Sequence, residues 1–131
     1  MNLKERIEDE MVVKTESILD EYFDTAKELF RIFDNGTVEI APAYKDSSWK
    51  EQLVIYTIGH YYAFEADRVE KESLPYDYFY SRFDRDNSTI RRYVNELQKD
   101  DLVKKDEESG EWVLVPQSLS NSLSRIEGVD V

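Results

Sequence analysis

Cysteine is absent from this 131-residue chain, histidine occurs once, and only four glycines and three prolines interrupt it. Without thiols there is no disulfide framework and no thiolate metal site. A single histidine, His60, builds no His/Cys cluster, and no phosphate-cradling glycine motif, nucleophile elbow or HExxH sequence is present. The many carboxylates show no spacing that picks out an acid/base pair, so the chain reads as non-enzymatic and no cofactor is implied. No run approaches the roughly 20 apolar residues of a membrane span, and no apolar stretch follows a basic start as in a secretory signal. The expectation is a cytoplasmic protein that does not enter a membrane. In that setting the Asn-x-Thr triplets at Asn35 and Asn87 carry no glycosylation meaning.

What is present is charge and aromatic surface. The formal net charge is -12, yet 40% of residues are hydrophobic and 13% aromatic, a composition that folds. The length suits one core. The acidity is uneven. Residues 1 to 34 hold five basic and ten acidic side chains, a net of -5 that repels nucleic acid. Residues 82 to 105 hold seven basic against five acidic, a net of +2 and the only basic island of any length.

Neither proline nor glycine occurs from residue 2 to 33, and Ile18, Leu19, Tyr22, Phe23, Ala26, Leu29, Phe30 and Phe33 recur at helical spacing. Residues 1–34 are therefore expected to form an amphipathic helix, stopped by Asp34-Asn35-Gly36. Thr37 to Ala41 alternates as a short strand does. Ser48 caps a helix from Trp49 to about Glu65, with Glu51 completing a capping box. That helix is apolar on nearly all sides, so neighbours must cover all of it, and His60 on its Trp49 face reads as a core histidine. Residues 66–74 read as a polar connection and PYDYFYSRF as a short helix begun by Pro75. In NSTIRRYVNELQK, Ile90, Tyr93, Val94 and Leu97 gather on one face and Ser88, Arg92, Asn95 and Lys99 on the other. Residues 102–105 and 111–115 read as a hairpin around Asp106 to Gly110. The serine-rich tail, 117–131, is expected to be only partly ordered.

Helix, short helix, tight turn, helix with a polar outer face, then hairpin: over residues 37–116 this order resembles a winged helix-turn-helix domain. The residues carrying the resemblance are YFYSRFDRDNSTIRRYVNELQKDDLV, and the preceding strand and Trp/Leu/Tyr-rich helix are similar to those of small archaeal winged-helix proteins. The fold class expected is mainly α (α+β), a winged helix-turn-helix with an N-terminal helical extension. The resemblance implies a regulator that binds double-stranded DNA, with residues 88–99 as the recognition helix in the major groove. Arg92 and Asn95 would meet base edges, as arginine meets guanine and asparagine adenine. Ser88 and Thr89 would meet a phosphate at the helix N-terminus, and Arg82, Arg91 and Lys99 would neutralise flanking phosphates. Two departures are visible. Asp101 stands where many members have glycine at the helix exit, and the hairpin tip DEESGE is acidic where DNA-contacting wings are basic.

Blander roles compete for the same residues. Arg91 and Arg92 also fit ion pairs with Glu96, or with Asp84 and Asp86; Ser88 also fits a helix cap; the tyrosines of PYDYFYSRF fit packing better than base stacking. The acidic arm and hairpin leave a second reading open, a winged-helix module that docks a protein partner and no DNA. Under either reading the apolar stripe of the N-terminal helix predicts a homodimer, with packing onto the helix at 49–65 as the alternative.

Overall fold

The computed structural model describes residues 2–130, which form a mixed α and β fold of seven α-helices, two short 3-10 helices (Pro42–Tyr44 and Pro116–Ser118) and two antiparallel hairpins. The N-terminal region departs from the single helix expected. It divides into α1 (Leu3–Glu10), α2 (Thr15–Glu21) and α3 (Phe23–Ala26), and then becomes a strand, β1 (Phe30–Ile32). The break after α1 falls at Met11-Val12-Val13, where two β-branched residues stiffen the chain outside helical geometry. β1 pairs with β2 (Val38–Ile40) in the register Phe30 to Ile40 and Ile32 to Val38. Arg31 and Glu39, opposite each other, form an ion pair of 2.6 Å.

Asp34-Asn35-Gly36 is thus a hairpin turn and not a helix stop. Gly36 takes φ +90, and a Cβ there would lie 2.6 Å from the Arg68 carbonyl oxygen, so no other residue fits.

The helix α4 (Trp49–Glu65) runs through the centre. Its capping box forms as the sequence predicts, with Ser48 accepting from the Glu51 amide and the Glu51 carboxylate accepting from the Ser48 amide. Leu53, Val54, Ile55, Ile58, Tyr61 and Ala63 are all buried, and they point in every direction around the axis. Gly59 lets β2 close in: a Cβ at that position would meet Val38 Cγ1 at 2.6 Å. On another side the Tyr62 hydroxyl donates to the Leu19 carbonyl at 2.6 Å, tying α2 down, and burial pushes that phenol up to about 12. Most of the stripe from Ile18 to Phe30 is therefore spent inside the molecule, with α2 against the Pro116–Ser118 turn and β1 against α4.

After α4 come α5 (Asp77–Tyr80), α6 (Asn87–Lys99) and a second hairpin of β3 (Val103–Lys105) and β4 (Trp112–Leu114). Residues 66–74, expected to be only a connection, end in a pair of backbone hydrogen bonds between Leu74 and Trp112, of 2.8 and 3.1 Å. The second hairpin thereby gains a third edge partner. Ser73 donates to Glu111 at 2.8 Å and Lys71 pairs with it at 2.7 Å, so the loop is fixed to β4 by side chains as well. No helix among the described residues is long and apolar enough to cross a membrane.

The tail also departs from expectation. A tight turn at Pro116–Ser118 leads into α7 (Leu119–Ser124), and Leu119, Leu123 and Ile126 are essentially inaccessible to solvent. The serines that suggested disorder belong to a helix whose apolar residues, three and four apart, close the core. Arg125 of the tail pairs with Asp100 at the end of α6, and the Glu127 amide donates to Glu51 at 2.7 Å, holding that carboxyl below its ordinary range. One buried cluster runs from Leu19 to Ile126.

Two outcomes follow from this packing. Leu123→Ala should cost about 2–5 kcal/mol in urea unfolding, the range for a fully buried leucine, whereas a dispensable tail would show almost no change. His60, 9% exposed, has Nε2 3.0 Å from the Lys71 carbonyl, and its burial lowers its pKa below the ordinary 6.5. The unfolded chain takes up this proton first, so stability should fall as pH drops through about 6.5 toward 5, and His60→Gln should flatten that stretch of the curve.

Candidate nucleic-acid interface

The helices α5 and α6 are set by aromatic packing. Phe79 of α5 stacks on Trp112 of the second hairpin with ring centroids 5.0 Å apart, and on Phe83 at 5.8 Å. Trp49 at the head of α4 meets Phe83 at 6.1 Å and Tyr93 at 5.6 Å. These contacts hold the turn Asp84-Arg85-Asp86 between the two helices. The α6 helix then buries Ile90, Tyr93, Val94 and Leu97, the four residues its sequence assigns to the inner face.

The outer face carries Ser88, Arg92, Asn95 and Lys99, all exposed. Among the described residues, none of these four side chains has a hydrogen-bond or ion-pair partner, and neither arginine of the pair forms an ion pair with Glu96, Asp84 or Asp86. The N-cap of α6 is Asp86, in an extended conformation with no side-chain cap bond, so Ser88 is the second residue of the helix and not the cap. Thr89 is half-buried. The start of α6 therefore offers its first backbone N–H groups beside the Ser88 hydroxyl, with the Asp86 carboxylate also close.

Arg91 and Arg92 diverge. Arg91 turns back to α5, where its Nη2 donates to the Tyr80 hydroxyl at 3.0 Å and its guanidinium lies 4.9 Å from the centre of the Tyr76 ring. Tyr76 and Tyr80 stack at 6.4 Å. Arg82 is held elsewhere, its guanidinium 3.6 Å over the Tyr78 ring and 5.6 Å from Tyr56, with Nη1 donating to the Tyr78 carbonyl. Among the described residues no hydrogen bond or ion pair joins it to the α6 face. The structure thus gathers Ser88, Arg92, Asn95 and Lys99 on one surface, fixes Arg91 at its edge, and sets Arg82 apart among tyrosines.

Two further cations rest on the aromatic rings that anchor α6. Arg85 lies 5.9 Å from the Trp49 ring, and Lys50 lies 5.1 Å from the Tyr93 ring. Arg85 was legible as part of the basic island; Lys50 was not, because it reaches α6 only through the packing of α4. The tyrosines act here as rests for cations, a role open to any aromatic face near an arginine.

At its far end α6 closes with the Leu102 amide on the Leu97 carbonyl (2.9 Å) and the Asp101 amide on the Gln98 carbonyl (3.0 Å). Asp101 takes φ +60, the left-handed conformation its place requires. Beyond it, Lys104 and Lys105 are exposed on β3, and the hairpin tip presents Glu107 and Glu108 to solvent. No family model, curated protein or solved structure matches this chain.

Replacing Asp101 with glycine, which reaches this conformation without a Cβ penalty, should raise stability by about 0.5–1 kcal/mol, read as a higher urea midpoint. An unchanged or lower midpoint would mean that the aspartate side chain contributes something at this exit that glycine lacks.

Proposed function

We propose that this chain is a winged helix-turn-helix protein that binds double-stranded DNA sequence-specifically as a transcriptional regulator, with α6 as its recognition helix. The observation that carries the reading is the outer face of α6. Arginine, asparagine, lysine and serine share one exposed stripe, unpaired, on a helix whose opposite face is anchored in the core. The order α4, Leu74 edge, α5, α6, β3–β4 supports it, because it is the order in which a winged-helix domain sets a helix on the surface beside a hairpin.

The chemistry is direct. The major groove admits one helix, and Arg92 and Asn95 have the donor geometry for guanine and for adenine edges. The N–H groups and hydroxyl at the start of α6 suit a phosphate oxygen, and Lys99, with Arg91 steadied by Tyr80, suits the flanking backbone. The acidic hairpin tip would be repelled by phosphates, so the proposed contact rests on α6 and not on an inserted wing. The same exposed acids are the feature that favours a protein-docking module instead.

Fluorescence anisotropy with duplexes selected from a randomised pool, titrated at several salt concentrations, separates the two. Arg92→Ala and Asn95→Ala should each weaken binding to the selected sequence by about tenfold or more and relax preference at one base position. Lys99→Ala should weaken all sequences alike and reduce the logarithmic salt slope by about 0.9. Absence of wild-type binding at every salt concentration would discard the DNA reading and leave the docking module.

A further inference from the structure

α1 has no covered face. None of its residues is buried, and Leu3, Ile7 and Met11, spaced four apart, are 70%, 39% and 75% exposed, with Val12 at 45% and Val13 at 71% continuing the strip. A helix of eight residues is too short to persist in water by its own backbone hydrogen bonds, and a contiguous apolar strip of this kind marks an interface. The body of the same chain does not fill it, and the acids of α1, Glu5, Glu8, Asp9 and Glu10 against Lys4 and Arg6, disfavour an anionic lipid surface.

The charges flanking the strip select its occupant. With Ile7 at the centre of the face, Leu3 and Met11 fall about 40° to either side at roughly 100° per residue. Lys4 and Glu8 then lie along one flank, Arg6 and Glu10 along the other. The ion pair between Arg6 and Glu10, 3.6 Å, places those two on a common flank. In an antiparallel twofold pair each flank meets its own copy run in reverse, which sets Lys4 against Glu8 and Arg6 against Glu10. In a parallel pair each flank meets the opposite one, which sets Lys4 beside Arg6 and Glu8 beside Glu10. The laterally nearest flanking pairs are then of opposite charge in the antiparallel arrangement and of like charge in the parallel one.

We propose that α1 is a dimerisation arm whose Leu3–Ile7–Met11 face packs antiparallel on the same face of a second copy of this chain. The sequence assigned dimerisation to the stripe from Ile18 to Phe33, but most of that stripe is taken up by the chain's own core, and the free face lies earlier. The proposal does not depend on DNA binding. It does supply what a palindromic site would need, two α6 helices related by a twofold axis. The contact area is small, so the pair should be weak, forming in the micromolar range and held by apolar contact with charge setting direction.

The absence of native cysteine makes the geometry directly readable. In the antiparallel pair Ile7 faces Ile7 of the second copy, and Leu3 faces Met11, whereas two Leu3 positions stand about 12 Å apart along the axis, beyond the roughly 7 Å a disulfide spans. Under mild oxidation Ile7→Cys should cross-link to itself, and a mixture of Leu3→Cys with Met11→Cys should give the mixed dimer. Leu3→Cys alone should not. Sedimentation of the unmodified chain should show a concentration-dependent dimer that Glu8→Lys/Glu10→Lys weakens at least tenfold and that adding Lys4→Glu/Arg6→Glu restores. These positions are exposed, so circular dichroism should show the body folded in every variant. A wild-type chain that sediments as a monomer up to millimolar concentration, or a Leu3 to Leu3 cross-link, would overturn the proposal.

Discussion

The structure depends on one constraint: α4 has no polar face. A surface helix shows water one side, but Leu53, Val54, Ile55, Ile58, Tyr61 and Ala63 leave α4 no direction that tolerates it. Each neighbouring element can be understood as cover for one sector. The first hairpin closes against Gly59, α2 is drawn in by the Tyr62 hydroxyl, and the second hairpin and α7 shield the rest. The cover arrives from both ends of the chain. That is why residues before 37 and after 116 belong to the same core, and why a segment rich in serine becomes a buried helix.

The placement of α6 is a consequence of that enclosure. It reaches the core through Tyr93 and Trp49, is pinned at its end by Arg125 to Asp100, and is separated from α5 by a turn fixed by stacked rings. A helix held this firmly on one side is rigid on the other, and rigidity is what side chains need if they are to meet partners at fixed positions. Arg92, Asn95 and Lys99 are the residues that benefit. Arg91 illustrates the opposite use of the same side chain: the Tyr80 hydroxyl and the Tyr76 face occupy it, so it braces α6 on α5.

Legibility in the sequence tracked how local each cause was. The capping box at Ser48 and Glu51, the length of α4, the two faces of α6 and the second hairpin all follow from spacing within a few residues, and all were read correctly. The first hairpin was missed although its signal was local. Phe30-Arg31-Ile32 and Val38-Glu39-Ile40 alternate on either side of an Asn-Gly turn, the strongest short hairpin signature, and this was overridden by a longer helical period upstream. The Leu74 edge, the ordered tail and Lys50 beside Tyr93 were not legible, because each is decided by a partner dozens of residues away. For the candidate site the sequence supplied the stripe, while the separate fates of Arg82, Arg91 and Arg92 needed the positions of Tyr78, Tyr80 and Tyr76.

Under the proposed DNA-binding function, a net charge of -12 has to be reconciled with an approach to phosphates, and salt screening is the means. At physiological salt the screening length is about 8 Å, less than the breadth of a small domain, so the acids of the N-terminal region are largely unseen from the outer face of α6. The acids that do matter are near: Asp84 and Asp86 at the start of the helix, and Glu96 within it. They offset part of the local cationic charge, which leaves the site with only a small surplus and keeps non-specific attraction to any DNA weak. If α6 reads DNA as proposed, a surface of this kind would rely on base-edge contacts by Arg92 and Asn95 as well as on phosphates, and discrimination between sequences would rise as the sequence-independent contribution falls.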